Sequence, residues 1–129
     1  MVRSDFVRGI EDISDQRILQ CYQCGECSSG CPVAADMDVL PNTVIRLIQL
    51  GQEEAVMAAE SPWVCASCYA CSVRCPKDVR IAQVMEAVRL WHLRKAIHGD
   101  HFNISDLPEE ARARLPPIAL ISCARKFSQ

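Results

Sequence analysis

Nine cysteines occur in this sequence of 129 residues. Eight of them form two runs with the spacing C-x2-C-x2-C-x3-C, and a proline directly follows each run. The first run consists of Cys21, Cys24, Cys27 and Cys31, and the second consists of Cys65, Cys68, Cys71 and Cys75. Each cysteine of the first run recurs 44 positions later. The repeat indicates either an old duplication or two sites with the same ligand requirement.

Thiolates at this spacing suit a [4Fe–4S] cluster. A cubane cluster presents four irons that each bind one thiolate, and three cysteines separated by two residues can wrap around three of them. In two-cluster ferredoxins the last cysteine of each run binds the other cluster, because the chain turns away from its own site at Cys-Pro. We therefore predict two clusters with crossed ligands. The predicted ligands are Cys21, Cys24, Cys27 and Cys75 for the first cluster, and Cys65, Cys68, Cys71 and Cys31 for the second.

Zinc and disulfide bonds are the alternative uses of these cysteines. Tetrahedral zinc is served by two C-x2-C pairs, so it has no use for four cysteines in each run. Disulfide scaffolds are typical of secreted proteins, whereas the first ten residues lack the apolar stretch of a secretion signal. Eight thiolates for eight irons leave no open position on iron for a substrate. We therefore predict no catalytic residue in this chain, and clusters that only change oxidation state.

Composition excludes several other functions. Lys and Arg number 14 against 16 Asp and Glu, and this charge of −2 provides no basic field for nucleic acid or anionic lipid. No apolar run approaches the ~18 residues that span a bilayer, so we expect a soluble, cytoplasmic protein. The glycines form no G-x-G-x-x-G motif, so nicotinamide or flavin chemistry would belong to partners.

Helical patterns dominate the segments around the cysteines. We predict a hairpin of two helices over residues 41–50 and 52–60, because Pro41 suits the first turn of a helix and Pro62 ends the second one. A long helix is predicted from a cap at Asp78 to near Gly99. A short helical patch is predicted at residues 108–114. Two prolines in the apolar segment 115–121 predict an extended chain there. Trp63, Tyr69 and Trp91 are assigned to packing over clusters and helices. No segment alternates as a half-buried strand does, so the predicted fold class is mainly α.

The residues around the runs resemble those of the C subunit of heterodisulfide reductase, within the α-helical ferredoxin family. The similarity extends from about Gln20 to Leu93. It rests on three segments, which are Cys21-Tyr22-Gln23-Cys24-Gly25-Glu26-Cys27-Ser28-Ser29-Gly30-Cys31-Pro32, Ile45-Arg46-Leu47-Ile48-Gln49-Leu50-Gly51 and Trp63-Val64-Cys65-Ala66-Ser67-Cys68-Tyr69-Ala70-Cys71. The resemblance implies an α-helical ferredoxin with two [4Fe–4S] clusters.

The resemblance also implies partners. In that family, the C subunit relays electrons between an A subunit that carries flavin and clusters and a catalytic B subunit that reduces a disulfide through Cys-Cys-Gly repeats. This sequence has no adjacent cysteine pair, so it matches the relay alone. The implied assembly is a hetero-oligomer with A-like and B-like subunits. The alternatives are an iron–sulfur subunit of a quinone-linked flavoprotein dehydrogenase and a structural zinc module.

The predicted domain organisation has three parts: an N-terminal extension over residues 1–19, a cluster domain over residues 20–99 and a C-terminal extension over residues 100–129. The apolar C-terminal extension is either an arm that docks on a partner or a strap that covers the core. Cys123, the ninth cysteine, lies in it and is interpreted as a buried apolar thiol rather than a redox or partner-cluster ligand.

Overall fold

The computed structural model describes residues 4–97 and 107–127 of the chain, and within them the chain forms nine α-helices. Their bounds are α1 Asp5–Ser14, α2 Glu26–Ser29, α3 Pro41–Gln49, α4 Glu53–Ala58, α5 Ser61–Val64, α6 Ala70–Arg74, α7 Ile81–Ile97, α8 Glu109–Arg114 and α9 Pro117–Phe127. Short 3-10 turns occur at Ile18–Gln20 and Ala34–Asp36. No β-strand is found among the described residues, and the chain is mainly helical, as predicted. It divides into two compact units, residues 1–92 and 93–129.

The core of the first unit is aliphatic and is built from α1, α3, α4 and the first turns of α7. Its fully buried side chains include Ile10, Ile18, Val44, Ile45, Ile48, Val56, Val84 and Met85. Five of the cluster cysteines pack in or against this core, which are Cys21, Cys27, Cys65, Cys71 and Cys75. The cysteines and the aliphatic core therefore form one continuous interior.

Helix α1 was not predicted from the sequence, yet it contributes Phe6, Val7 and Ile10 to the core. The Ser4 side chain caps this helix by accepting a hydrogen bond from the Val7 N–H at 3.4 Å. Against the same helix lies Trp91, as the assignment of this tryptophan to packing required. Its ring meets Phe6 edge-on, with 5.9 Å between centroids, and its indole N–H donates to Glu53 at 2.7 Å.

Between the two cysteine runs, α3 and α4 form the predicted hairpin. Pro41 opens α3 because proline suits the first helical turn, and Gly51 reverses the chain with a positive φ of 70°. At the end of α3 the Gln49 side-chain amide donates to the backbone carbonyls of Ile18 and Cys21, at 3.0 and 2.8 Å. The hairpin therefore anchors the start of the first cysteine run.

The start of helix α7 differs from the prediction. Asp78 has φ of 54° and does not cap the helix, which begins three residues later at Ile81. Instead, the Gln16 side-chain carbonyl accepts a hydrogen bond from the Arg80 N–H at 2.9 Å, and its amide donates to Gln83 at 2.9 Å. A side chain from the segment after α1 thus satisfies the free backbone group that Asp78 was expected to satisfy.

The second unit corrects one prediction and confirms another. Helix α8 occupies the predicted helical patch. The segment predicted to be extended instead enters helix α9 at Pro117. Only Leu115 and Pro116 connect the two helices, and Pro117 stands at the first helical position, where a missing N–H costs nothing. The side chain of Cys123 lies outside the described part of the structure.

No helix within residues 4–97 and 107–127 combines the length and the apolar character that crossing a bilayer requires.

Candidate iron–sulfur site

The loops that carry the two cysteine runs have positive φ at equivalent positions. In the first loop Gln23 and Gly25 have positive φ, at 64° and 82°. In the second loop Ser67 and Tyr69, each 44 positions later, have φ of 52° and 61°. Residues with positive φ are uncommon outside glycine, so two matched pairs indicate a specific loop geometry. The sequence repeat is therefore a structural repeat as well.

A short helix follows each loop, and the two helices pack against each other. Gly25 stands before α2 and Tyr69 stands before α6. Where they meet, a Cβ atom added to Gly30 would lie 2.3 Å from the Arg74 side chain, so the chain approaches closely at this glycine. This contact brings the end of each cysteine run beside the other run.

A cavity between the runs is lined by four thiols. Cys65, Cys68 and Cys71 come from the second run, and Cys31 comes from the end of the first run. The other lining residues are apolar or aromatic, namely Pro32, Val33, Met37, Pro41, Ala66, Tyr69, Ile81, Ala82 and Met85. The four thiols are the set that the sequence predicted for the second cluster.

The remaining cysteines influence the pKa values of two residues of the first run, Cys27 and Tyr22. Burial raises the pKa of the Cys27 thiol, Ser28 lowers it, and the charges of Cys21 and Cys71 raise it further. The pKa of Tyr22 is raised first by partial desolvation of its hydroxyl and then by the Cys24 thiolate, with Cys75 adding to the effect. Cys75, at the end of the second run, is therefore near enough to Tyr22 for its charge to raise the pKa of that residue.

Cys71 has a perturbed thiol in the second run. Burial raises the pKa of Cys71, whereas Ser72 and the backbone of Ala82 lower it and the charges of Cys65 and Cys68 raise it. Thiols with raised pKa values are protonated at neutral pH, and iron binds the thiolate form. Cluster assembly at these sites therefore releases protons.

Within the described residues, N–H groups donate hydrogen bonds to two of the cysteine sulfur atoms. The Val79 N–H donates to Cys75 at 3.3 Å, and the Gln23 side-chain amide donates to Cys21 at 3.4 Å. Donors to ligand sulfur stabilise negative charge there, and such bonds are one means by which proteins set cluster potentials. The structure thus holds both sulfur atoms as thiolate ligands would be held.

A serine follows the third cysteine of each run, and the two serines differ. The Ser28 hydroxyl donates to the Asn42 side-chain carbonyl at 2.6 Å and accepts from the Asn42 backbone N–H at 3.0 Å, which ties α2 to the first turn of α3. The Ser72 hydroxyl is close enough to stabilise the Cys71 thiolate. It is buried, however, and completes no hydrogen bond of normal geometry within the described residues. The equivalent serines therefore differ in role, since Ser28 joins two helices and Ser72 does not.

Asp38 binds the segment that leads into the second cysteine run. Its carboxylate accepts hydrogen bonds from the backbone N–H groups of Glu60 and Ser61, both at 2.9 Å, and from the buried Ser61 hydroxyl. These bonds, led by that of Ser61, lower the pKa of Asp38 to about 2. Since Ser61 begins α5, the carboxylate also satisfies free N–H groups at the start of this helix.

Arg89 on α7 holds the second loop itself. Its guanidinium donates to the Pro62 carbonyl at 2.6 Å, to the Cys65 carbonyl at 3.4 Å and to the Ser67 hydroxyl at 3.3 Å. It also forms a close ion pair with Glu86 one turn away. One rigid, planar side chain thus fixes the residues on both sides of the first cysteine of the run.

The donor set fits a [4Fe–4S] cluster at the described cavity. Four thiols face an apolar space, which is the ligand chemistry that such clusters require. Among the described residues, no three His, Cys, Asp or Glu side chains converge closely enough to hold a single metal ion. Ligands of a cubane bind separate irons, so they need not converge on one point.

Comparison with known proteins identifies this region. A family model described as a 4Fe–4S dicluster domain matches residues 17–79. We name this matched segment, residues 17–79, the dicluster domain after the family that it resembles. The cofactors of the dicluster domain are accordingly two [4Fe–4S] clusters, as predicted.

The dicluster domain is also where the chain resembles curated proteins. The iron–sulfur C subunit of the CoB–CoM heterodisulfide reductase of Methanopyrus kandleri is 36% identical over 69 residues, which cover 54% of this chain and 36% of that protein. The iron–sulfur C 2 subunit of the same reductase from Methanocaldococcus jannaschii is 37% identical over 79 residues, which cover 61% and 41%. The C subunit of the H2:CoB–CoM heterodisulfide,ferredoxin reductase of Methanothermobacter thermautotrophicus is 27% identical over 88 residues, which cover 68% and 48%.

These matches confirm the predicted resemblance to the C subunit of heterodisulfide reductase. The matched part of the chain spans less than half the length of each of these relatives, between 36% and 48%.

The residues that support the dicluster domain from outside the cysteine runs were not predicted from the sequence. Asp38, Gln49 and Arg89 act through hydrogen bonds to backbone groups far along the chain, and no local pattern marks such bonds. Ser28 and Ser72 could have been found, because they occupy equivalent places in the 44-residue repeat.

Proposed function

We propose that this chain is the electron-transfer subunit of a heterodisulfide-reductase-like complex. In this proposal it relays single electrons between an A-like subunit that carries flavin and clusters and a B-like subunit that reduces a disulfide through Cys-Cys-Gly repeats. The dicluster domain and the similarity to the C subunits of such reductases support this function. The observation that carries it is the cavity where Cys31 joins Cys65, Cys68 and Cys71.

The proposed ligands are crossed between the runs. Cys21, Cys24, Cys27 and Cys75 would hold the first cluster, and Cys65, Cys68, Cys71 and Cys31 the second. The cavity lining supports the second set. The first set is supported by the influence of Cys21 on Cys27 and by the position of Tyr22 beside both Cys24 and Cys75.

When bound, a [4Fe–4S] cluster supplies a centre that accepts and releases one electron. The chain's own residues decide how that centre is reached. Cys24 and Cys68 are exposed, so each ligand set extends from the interior to the surface where a partner can approach. Cys27 is buried, and apart from its thiols the cavity of the second ligand set is lined by apolar and aromatic residues. This arrangement suits a relay with two outer ends and an interior link.

Ligand exchange by mutation tests the crossed arrangement. The tagged full-length protein and its variants are purified without oxygen, and iron, sulfide and electron paramagnetic resonance spectra are measured. The wild-type protein should contain about eight irons. Cys31→Ser should alter the same signal as Cys68→Ser, and Cys75→Ser the same signal as Cys24→Ser. If Cys31→Ser instead matches Cys24→Ser, the crossed assignment is wrong, and a colourless zinc protein would contradict the electron-transfer function altogether.

Co-purification tests the assembly, which we place in the cytoplasm. Every chain that accompanies the tagged protein is identified by mass spectrometry, and subunits with flavin-binding and Cys-Cys-Gly sequences are expected. A protein that is monomeric and unaccompanied at physiological concentration would contradict the proposal.

We further propose that residues 100–129 form an arm that docks on a partner. The exposed apolar side chains of the second unit, Leu115, Ile118 and Ile121, support this role. Truncation after Asp106 should then reduce co-purification of a partner while both clusters are retained. Ile118→Asp, at a side chain that is 72% exposed, should have the same effect without shortening the chain. Unchanged assembly in both variants would refute the arm.

A further inference from the structure

The two loops differ at one position where their backbones agree. The residue between the second and third cysteines that precedes the short helix is Gly25 in the first loop and Tyr69 in the second. Both have left-handed backbone, with φ of 82° and 61°. Glycine adopts this conformation freely, whereas a bulky side chain at positive φ is strained. The second loop thus keeps tyrosine where glycine would relieve strain, and strain of this kind persists where the side chain serves a purpose.

The surroundings of the two residues show what the side chain covers. A Cβ atom added to Gly25 would meet no atom within 4 Å, so the first loop is open at this point. Tyr69, by contrast, lines the cavity that holds Cys31, Cys65, Cys68 and Cys71, and 47% of the residue faces solvent. Tyr69 therefore forms a wall between this thiol set and bulk water.

A second position changes in the opposite sense. Tyr22, after the first cysteine of its run, corresponds to Ala66 in the second run. The Tyr22 hydroxyl lies beside Cys24, on the first thiol set. The first thiol set thus has the Tyr22 hydroxyl and Gly25 beside it, whereas the second set has Ala66 and Tyr69 at the equivalent positions. The repeat keeps the ligands the same and makes their surroundings unequal.

We propose that Tyr69 shields the second cluster from water and thereby lowers its reduction potential relative to that of the first cluster. The inference rests on the proposed ligand sets. Reduction adds one negative charge to a cluster, and water stabilises that charge better than an apolar wall does. The ring therefore disfavours the reduced state of the second cluster, while Gly25 leaves the first cluster without such a wall.

Two variants separate shielding from the other roles of tyrosine. Tyr69→Gly removes the ring and relieves the backbone strain, so loss of fold is not the expected outcome. Tyr69→Phe keeps the ring and removes only the hydroxyl, and it serves as the matched control. If Tyr69 served only to pack the loop, neither variant would shift a reduction potential in an intact two-cluster protein.

The experiment is a redox titration of the full-length protein, purified without oxygen and followed by electron paramagnetic resonance. Cys24→Ser and Cys68→Ser assign the two signals. The potential of the second cluster should move upward in Tyr69→Gly and stay in place in Tyr69→Phe, with the first cluster unchanged in both. Bleaching by an iron chelator provides a second readout, in which the second cluster should be lost several-fold faster in Tyr69→Gly only.

The outcomes distinguish this inference from the proposed function. Two intact clusters whose potentials and bleaching rates are the same in Tyr69→Gly as in wild type would overturn the shielding role and leave the relay standing. An equal upward shift in Tyr69→Phe would also overturn it, since the hydroxyl would then be the cause. A wild-type protein with iron for only one cluster would overturn the proposed ligand sets, and this inference with them.

Discussion

Replacing Ser28 by alanine should loosen the first cluster loop, whereas the same change at Ser72 should not. Ser28 donates to Asn42 at 2.6 Å and accepts from the Asn42 N–H at 3.0 Å. A neutral hydrogen bond contributes about 0.5–1.5 kcal/mol, and loss of a side chain that caps a helix costs about 1 kcal/mol. We therefore expect Ser28→Ala to destabilise the contact between α2 and α3 by about 1–2 kcal/mol.

Ser72 is the matched control because it occupies the equivalent place in the repeat. Its hydroxyl completes no regular hydrogen bond within the described residues, so alanine there removes no such bond. The expected change is within about 0.5 kcal/mol. The comparison thus isolates the bonds to Asn42 from the general effect of removing a hydroxyl beside a cluster cysteine.

The assay is cluster loss from the anaerobic holoprotein in dilute guanidinium with excess iron chelator, followed by visible absorbance. A change of 1–2 kcal/mol raises the population of the open loop about 5–30-fold, and bleaching of the first cluster should accelerate by a similar factor. Ser72→Ala should change the rate by no more than about twofold. Equal bleaching of the two variants, or faster bleaching of Ser72→Ala, would refute the reasoning.

Three further predictions concern residues that support the site. Arg89→Lys should weaken the second loop by about 2–3 kcal/mol, because one ammonium cannot replace a guanidinium that reaches two backbone carbonyls and a hydroxyl. The second cluster should then bleach faster than in Arg94→Lys, which changes an exposed arginine of the same helix and serves as the control. Gly9→Ala should cost about 1–3 kcal/mol, because its Cβ would lie 2.1 Å from the Trp91 ring, and an unchanged thermal midpoint would contradict this. Asp38→Asn should bleach faster than wild type at neutral pH. The folded pKa of about 2 lies below the unfolded value near 4, so the contribution of Asp38 is lost as pH falls between them, and the ratio of bleaching rates should approach one there.

The cysteine runs and the helices next to them could be predicted from the sequence because local chemistry determines them. Ligand spacing dictates the loops, and Pro41 and Gly51 mark where α3 begins and the chain reverses. The same local reasoning failed at Pro117, since a proline that breaks a helix in its interior also suits its first turn. Two consecutive prolines do not show whether the second one ends an extended segment or begins a helix.

Other features could not be predicted because they depend on distant residues. Asp78 has the side chain of a helix cap, but Gln16 satisfies the backbone at this helix start from a segment 64 residues away. Helix α1 has a local pattern, because Phe6, Val7 and Ile10 lie on one face after the capping Ser4. This short pattern identifies a helix only when the core that it completes is known. The positive φ of Tyr69 could not be predicted either, because it follows from the geometry of the whole loop and not from the residue type.

The close fit of Gly30 against Arg74 has a consequence for synthesis on the ribosome. The first loop is translated well before the side chain on which it packs, because Arg74 lies 44 positions after Gly30. At about 5–20 residues per second, this separation corresponds to a delay of several seconds. During that interval the first loop exposes its thiols without its packing partner. Delivery of iron and sulfide is therefore best timed after the second loop has emerged, which makes maturation of this chain a late event in its synthesis.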